Sequence, residues 1–210
     1  MSSSPPQQTA GCTARPLRAD ARRNRAALLE AAQALFAEKG MDAGMDEVAR
    51  RAGVGVGTLY RHFPTKQDLA VAVVIGRIEA LVSMLAEGGA DPVERLVDVG
   101  CRGCAVQAES LLLAEVISPG GEKPPAVRDA VDRLFAGIEA LARAAQDQGL
   151  LRADVRPEDV SALLCAVGRS AAPGDAEGMA RLVNVVMDGL RPAAAAPGPP
   201  AAPAARPAPG

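Results

Sequence analysis

Aromatic side chains are nearly missing from this chain. Its 210 residues include no Trp, one Tyr and three Phe, at Tyr60, Phe36, Phe63 and Phe135. A core must therefore be assembled from Leu, Val, Ala, Ile and Met. Histidine occurs once, as His62. The His-based metal clusters and nucleophile–His pairs of enzymes have nothing to draw on, and no Gly-rich phosphate loop is present. No catalytic residue, metal or cofactor is expected. Long apolar runs are also missing: the best uninterrupted one is Leu69–Ile75, against the roughly 20 residues a bilayer span needs. No membrane partner is expected. The Ser-, Pro- and Gln-rich start, Met1 to Ala14, lacks the basic end and apolar run of a signal peptide. A cytoplasmic protein is the expectation, with Cys12, Cys101, Cys104 and Cys165 as reduced thiols. The period-2 alternation of a sheet is missing as well, which leaves an all-α fold of about nine helices.

What is present is unevenly distributed. The net charge is −2, yet residues 1–66 hold 10 Lys+Arg against 6 Asp+Glu, a net of +4. Residues 67–210 hold 13 against 19, a net of −6. A basic front on an acidic remainder suits an anionic polymer touching only the first part. Residues 1–19 read as a disordered arm, and residues 192–210, almost all Ala, Pro and Gly, as a disordered tail. Between them, residues 20–68 form one expected unit and 69–191 another.

Apolar residues at Leu28, Ala31, Ala32, Leu35 and Phe36 lie on one face of a helix that Gly40 ends. Met45–Ala52 and Val56–Phe63 are two short helices flanking Gly53-Val54-Gly55. A Gly at such a turn accepts positive φ without steric cost. Thr65 and Asp68 resemble a capping box that opens a long fourth helix to about Glu87. Asp91-Pro92 starts a helix or helix pair to about Ile117, followed by a loop at Ser118–Gly121. Val127, Val131, Leu134, Phe135, Ile138 and Leu141 mark the clearest amphipathic helix, ended by Gly149. Pro157 to Ser170 is another helix. Asp175 caps the last, with Met179, Leu182, Val183, Val186, Met187 and Leu190 as its apolar face.

Two short helices about a Gly turn make a helix-turn-helix, whose second helix enters the DNA major groove. The runs Ala31-Ala32-x-x-Leu35-Phe36-x-x-x-Gly40, Glu47-Val48-Ala49-Arg50-Arg51-Ala52-Gly53-Val54 and Gly57-Thr58-Leu59-Tyr60-Arg61-His62-Phe63-Pro64-Thr65-Lys66 resemble the DNA-binding domain of the tetracycline-repressor (TetR) family. The resemblance covers about residues 22–75. It implies a homodimeric regulator, usually a repressor, that binds a double-stranded, palindromic DNA operator and is released by a small-molecule effector. On this reading Gly57 lets the helix lie close to the DNA backbone. Thr58, Tyr60, Arg61, His62 and Lys66 serve phosphates, which set register. Gly55 and Val56 face the bases, where Val56 is placed to touch a thymine methyl. Arg22, Arg23 and Arg25, at the expected start of the first helix, reach phosphates or a minor groove. The chain departs from the family pattern at Gly44 and Gly55, where Ser or Thr is common, and at Val56, where a polar residue is common. Few base-directed donors remain, so specificity draws on DNA shape or the arginine arm.

The resemblance also implies an effector cavity in the second unit. Candidate lining residues are Met84, Leu85, Leu96, Cys101, Cys104, Leu112, Leu134, Phe135 and Ile138. The last two helices, with small Ala162, Ala166 and Gly168 and apolar Leu182, Val186 and Leu190, are the candidate dimerisation pair. Three alternatives stay open: a thiol-based redox sensor using Cys101, Cys104 or Cys165, an adaptor with a vestigial helix-turn-helix, and buried thiols with no role beyond packing.

Overall fold

The computed structural model describes residues 14–87, 91–108, 124–170 and 175–192. These residues hold eight α-helices and one 3-10 turn, and no strand among them. The helices are α1 (Ala14–Lys39), α2 (Met45–Arg51), α3 (Val56–His62), α4 (Lys66–Ala86), α5 (Pro92–Ala108), α6 (Pro125–Asp147), α7 (Pro157–Ser170) and α8 (Ala176–Leu190). The continuation to Ile117, Leu112, the Ser118–Gly121 loop, Cys12, residues 1–13 and residues 193–210 lie outside the described residues.

The sequence signals for helix ends hold closely. Gly40 and Gly53 take φ of +58° and +65° just beyond α1 and α2, the left-handed conformation that glycine reaches at no cost. The 3-10 turn Gly40–Asp42 after α1 carries no sequence signal of its own. At α4 the Asp68 amide donates to Thr65 Oγ1 at 3.1 Å, and the Thr65 amide donates to Asp68 Oδ2 at 3.0 Å. The box is complete, with Asp serving where Glu is usual. The Val93 amide donates to Asp91 Oδ1 at 2.7 Å, and the Gly178 amide to Asp175 Oδ1 at 2.8 Å. At the far end of α4, Arg95 donates to the Leu85 carbonyl, which satisfies one of the helix's last acceptors.

Two expectations need correction. Helix α1 begins at Ala14, inside the stretch read as a disordered arm. From Ala19 onward its first buried apolar side chain is Leu28, so that stretch rests on helix-forming Ala and Arg rather than on core contact. Pro16 is tolerated because first-turn N–H groups have no partner to lose. The second correction concerns α4, which is long and apolar enough, by length and composition, to cross a membrane. Counting uninterrupted runs misses this, because Gly76, Arg77 and Glu79 break the run without lowering its average much. In this fold one face of α4 is committed to cores: Leu69, Ala70, Val73, Val74, Ile78, Leu81 and Leu85 are all buried.

The apolar side chains form two clusters that meet on α4. One joins α1–α3 to the start of α4, with Leu28, Leu35, Leu59 and Leu69 essentially inaccessible. The other packs the rest of α4 with α5–α8. Its most extensive contact is between α4 and α6, where Arg133 also pairs with Glu79. A single helix thus belongs to both clusters.

Candidate nucleic-acid interface

Helix α3 buries one side chain fully and exposes most of the rest. Leu59 is fully buried beneath it, while Gly55, Val56, Gly57, Tyr60 and Arg61 are exposed and Thr58 and His62 half-buried. Val56 and Tyr60 are 41% and 46% exposed. A Cβ built on Gly55 or Gly57 would meet nothing within 4 Å. No internal packing therefore calls for glycine at either position. Gly55 is the N-cap of α3 in extended conformation without a side-chain cap. The Thr58 and Leu59 amides bond instead to its carbonyl, at 2.8 and 3.1 Å. Phe63 ends α3 with extended backbone, as the following Pro64 demands.

The frame around α3 is braced by charge. Lys39 and Glu47 bond at 2.7 Å, and Arg51 and Glu38 at 2.8 Å, pinning α2 to the end of α1. The hydrogen bond from Lys39 holds the Glu47 carboxyl below its usual range, and the bond to Glu38 raises Arg51. Arg25 lies 5.5 Å over the Phe63 ring, a cation–π contact that seats the end of α3 on α1. Lys66 donates to the Met41 carbonyl and so ties the 3-10 turn to the start of α4. Arg61 donates to Thr58 Oγ1 at 3.0 Å, and the His62 and Phe63 rings lie 6.3 Å apart. Lys66, Arg25 and Arg61 thus have intramolecular partners as well as exposed edges.

Arg22 and Arg23 are exposed, with Arg23 paired to Asp20. Because α1 starts at Ala14, neither stands at a helix start, as the sequence had suggested. The helix dipole does not act on them, since its effect fades within the first turn. Their exposure beside Arg25 remains.

In the second unit, a cavity of about 30 Å³ lies between α4, α5, α6 and α7. Of the proposed lining residues, Cys104, Leu134, Phe135 and Ile138 border it. Leu85 and Leu96 are packed in the core, and Met84 opens on a separate cleft near Arg77 and Arg102. Cys101 packs against the core cluster without bordering the cavity. Sequence reading passed over Gln107, Ser161, Gly103 and Leu164, which also line it. The polar pair sits on helices read for a helix start and for small interface residues.

Cys101 and Cys104 are both shifted away from thiolate. Burial, followed by the neighbouring Cys101 and Cys165, pushes the Cys104 thiol up to about 12. Its Sγ lies 3.6 Å from the Leu164 carbonyl as a donor. Burial, and then Asp98, also raises Cys101. Reactive thiols need the opposite shift.

On α7 and α8, Ala162 and Ala166 are exposed, Leu182 is 44% exposed and Val186 half-buried. Gly168 instead faces inward, where an added Cβ would come within 2.5 Å of Gln107 Oε1. Leu190 is buried in the core. Leu163 and Val185, not singled out from the sequence, are 38% and 68% exposed. The signal was available: 182, 185, 186 and 189 form a second stripe beside the core stripe 179, 183, 187 and 190.

A buried-backed, outward-facing second helix after a glycine turn, braced on α1 and joined through α4 to a helical body, defines a helix-turn-helix DNA-binding regulator. Comparison with known proteins gives the family. Residues 28–73 match the family "Bacterial regulatory proteins, tetR family", and residues 105–192 match "Transcriptional regulator SbtR-like, C-terminal domain". A TetR transcription regulatory protein from Mycobacterium vanbaalenii is 41% identical, covering 84% of this chain and 99% of its own, with a TM-score of 0.64. A TetR transcriptional regulator from Streptomyces coelicolor is 34% identical, covering 81% and 99%, with a TM-score of 0.65. An HTH-type transcriptional regulator of Staphylococcus aureus is 44% identical over 59 residues, which span 28% of this chain and 32% of that relative. The match to the curated relatives therefore spans about a third of their length. The chain belongs to the TetR family of DNA-binding transcriptional regulators.

Proposed function

We propose that the chain acts in the cytoplasm, without enzymatic activity, as a homodimeric repressor released from a palindromic operator by a small-molecule effector. The observation that carries this reading is where large apolar side chains are left exposed. Val56 and Tyr60 lie on α3 with Met41 in the 3-10 turn after α1, and Leu163, Leu182 and Val185 lie on α7 and α8. Exposed apolar groups that gather in patches mark interaction surfaces, and we assign these two sets to two such surfaces. The first suits DNA, with Val56 toward bases and Thr58, Tyr60, Arg61, His62, Lys66, Arg22, Arg23 and Arg25 toward phosphates. The second suits a symmetry mate packing α7 and α8 into a four-helix bundle, with Ala162 and Ala166 permitting close approach.

The sharing of α4 between both cores supplies a route for regulation. Leu69, Ala70 and Val73 hold it to the DNA-binding unit, and Ile78, Leu81 and Leu85 to the other. A ligand that favours a different tilt of α4 changes the spacing of the two α3 helices, and DNA affinity falls. The shift is limited by the ligand's differential affinity for the two conformers. The test is a gel-shift salt series with the dimeric protein and DNA upstream of its gene. A discrete, competitor-resistant complex that weakens steeply with salt, and weakens further in Tyr60→Ala, supports the reading. Binding that ignores both salt and Tyr60 refutes it.

A further inference from the structure

We infer that the cavity between α4, α5, α6 and α7 takes an uncharged ligand with an aliphatic body and one hydrogen-bonding group, seated on the Ser161 hydroxyl and the Gln107 amide. This rests on the effector-responsive reading above. Gln107 and Ser161 are the two buried polar side chains among the described residues, at 9% and 6% exposure. Both line this one cavity. Ser161 Oγ has no hydrogen-bond partner, and a buried hydroxyl left unpaired is costly enough to call for a reason. The cavity's 30 Å³ exceeds the roughly 10–15 Å³ that one water needs, so a polar group can reach it.

The rest of the wall sets the ligand's character. No charged side chain is among its described lining residues. A carboxylate or ammonium would lose its hydration there without gaining a counter-ion. Leu81, Leu134, Ile138 and Leu164 supply aliphatic surface, and Phe135 is the sole aromatic among the described lining residues. That favours a saturated body over a stacked ring. Phe135 and Cys165 are half-buried, so a body larger than water would have to displace this side of the wall. Leu81 brings α4 into contact with whatever fills the space.

The full-length dimer is titrated by calorimetry with octan-1-ol and octanamide, and in parallel with octanoate and octylammonium. The neutral pair binds, and the charged pair binds at least tenfold more weakly. Ser161→Ala weakens the neutral pair about three- to tenfold, while its melting temperature without ligand stays level or rises because an unpaired hydroxyl has gone. Gly103→Ala is the second variant. Its Cβ would sit 3.7 Å from Leu81 Cδ1, an ordinary contact, so the helix gains stability while the cavity shrinks and binding falls. Octanoate binding as tightly as octanol, unchanged binding in Ser161→Ala, or no binding by either neutral probe overturns the inference. If the neutral probes bind through Ser161 but leave the operator complex intact, the ligand assignment stands and the effector-responsive reading fails.

Discussion

Val185→Asp separates an interface role for the α7–α8 face from a role in the monomer. Val185 is 68% exposed, so a single protomer has little invested in it. Substitutions at such surface sites change stability by about 0.5 kcal/mol or less. In a dimer packed through this face, the exposed part of the side chain is buried instead, contributing about 1 kcal/mol per copy. Two-fold symmetry doubles that loss. It also places two carboxylates in an apolar contact, each costing at least ~2 kcal/mol to desolvate and repelling the other. The sum is at least ~6 kcal/mol, a dimer weakened by more than about ten-thousandfold. Sedimentation equilibrium at micromolar concentration should find the wild type dimeric and Val185→Asp monomeric, with near-identical thermal melts of the subunit fold. Operator affinity should fall with the loss of the second half-site. A variant that stays dimeric with full operator affinity refutes the assignment of this face.

Other perturbations read other parts of the molecule. Gly57→Val should leave the fold intact, because a Cβ there meets nothing within 4 Å, yet reduce operator binding at least tenfold in a gel shift by holding α3 off the backbone. Thr65→Ala removes the capping box of α4 and should cost about 1 kcal/mol, seen as a lower urea midpoint with unchanged slope. The Lys39 bond depresses the Glu47 carboxyl in the folded state. Its stabilisation is therefore present above the unfolded-state value of 4.5 and lost as pH falls through the lower folded value. Glu47→Gln should flatten the acid limb of a melting-temperature profile below about pH 4.5. Burial, followed by Cys101 and Cys165, pushes the Cys104 thiol up to about 12, which keeps it protonated at pH 8. Native-state alkylation mapped by mass spectrometry should spare it, and rapid labelling would reopen a redox role.

Local signals along the chain determine much of this protein. The all-α class, the short helix pair around Gly53 and the Thr65–Asp68 box are set by 3.6-residue periodicity, the left-handed tolerance of glycine and side-chain capping. The exposed face of α3 is legible in the sequence for the same reason, since a short helix with one buried Leu59 has few ways to sit. The start of α1 is not, because Ala19 to Ala27 holds no buried stripe to announce it. Tertiary packing decided the rest. Gly168 and Leu190 have the right chemistry for an interface, yet α5 and the core claim them, leaving Leu163 and Val185 outside. Gln107 and Ser161 are ordinary polar letters in the sequence, 54 positions apart on different helices. Only the packing of α5 on α7 brings both to one small cavity, because burial and cavity shape depend on contacts between segments that no local pattern encodes.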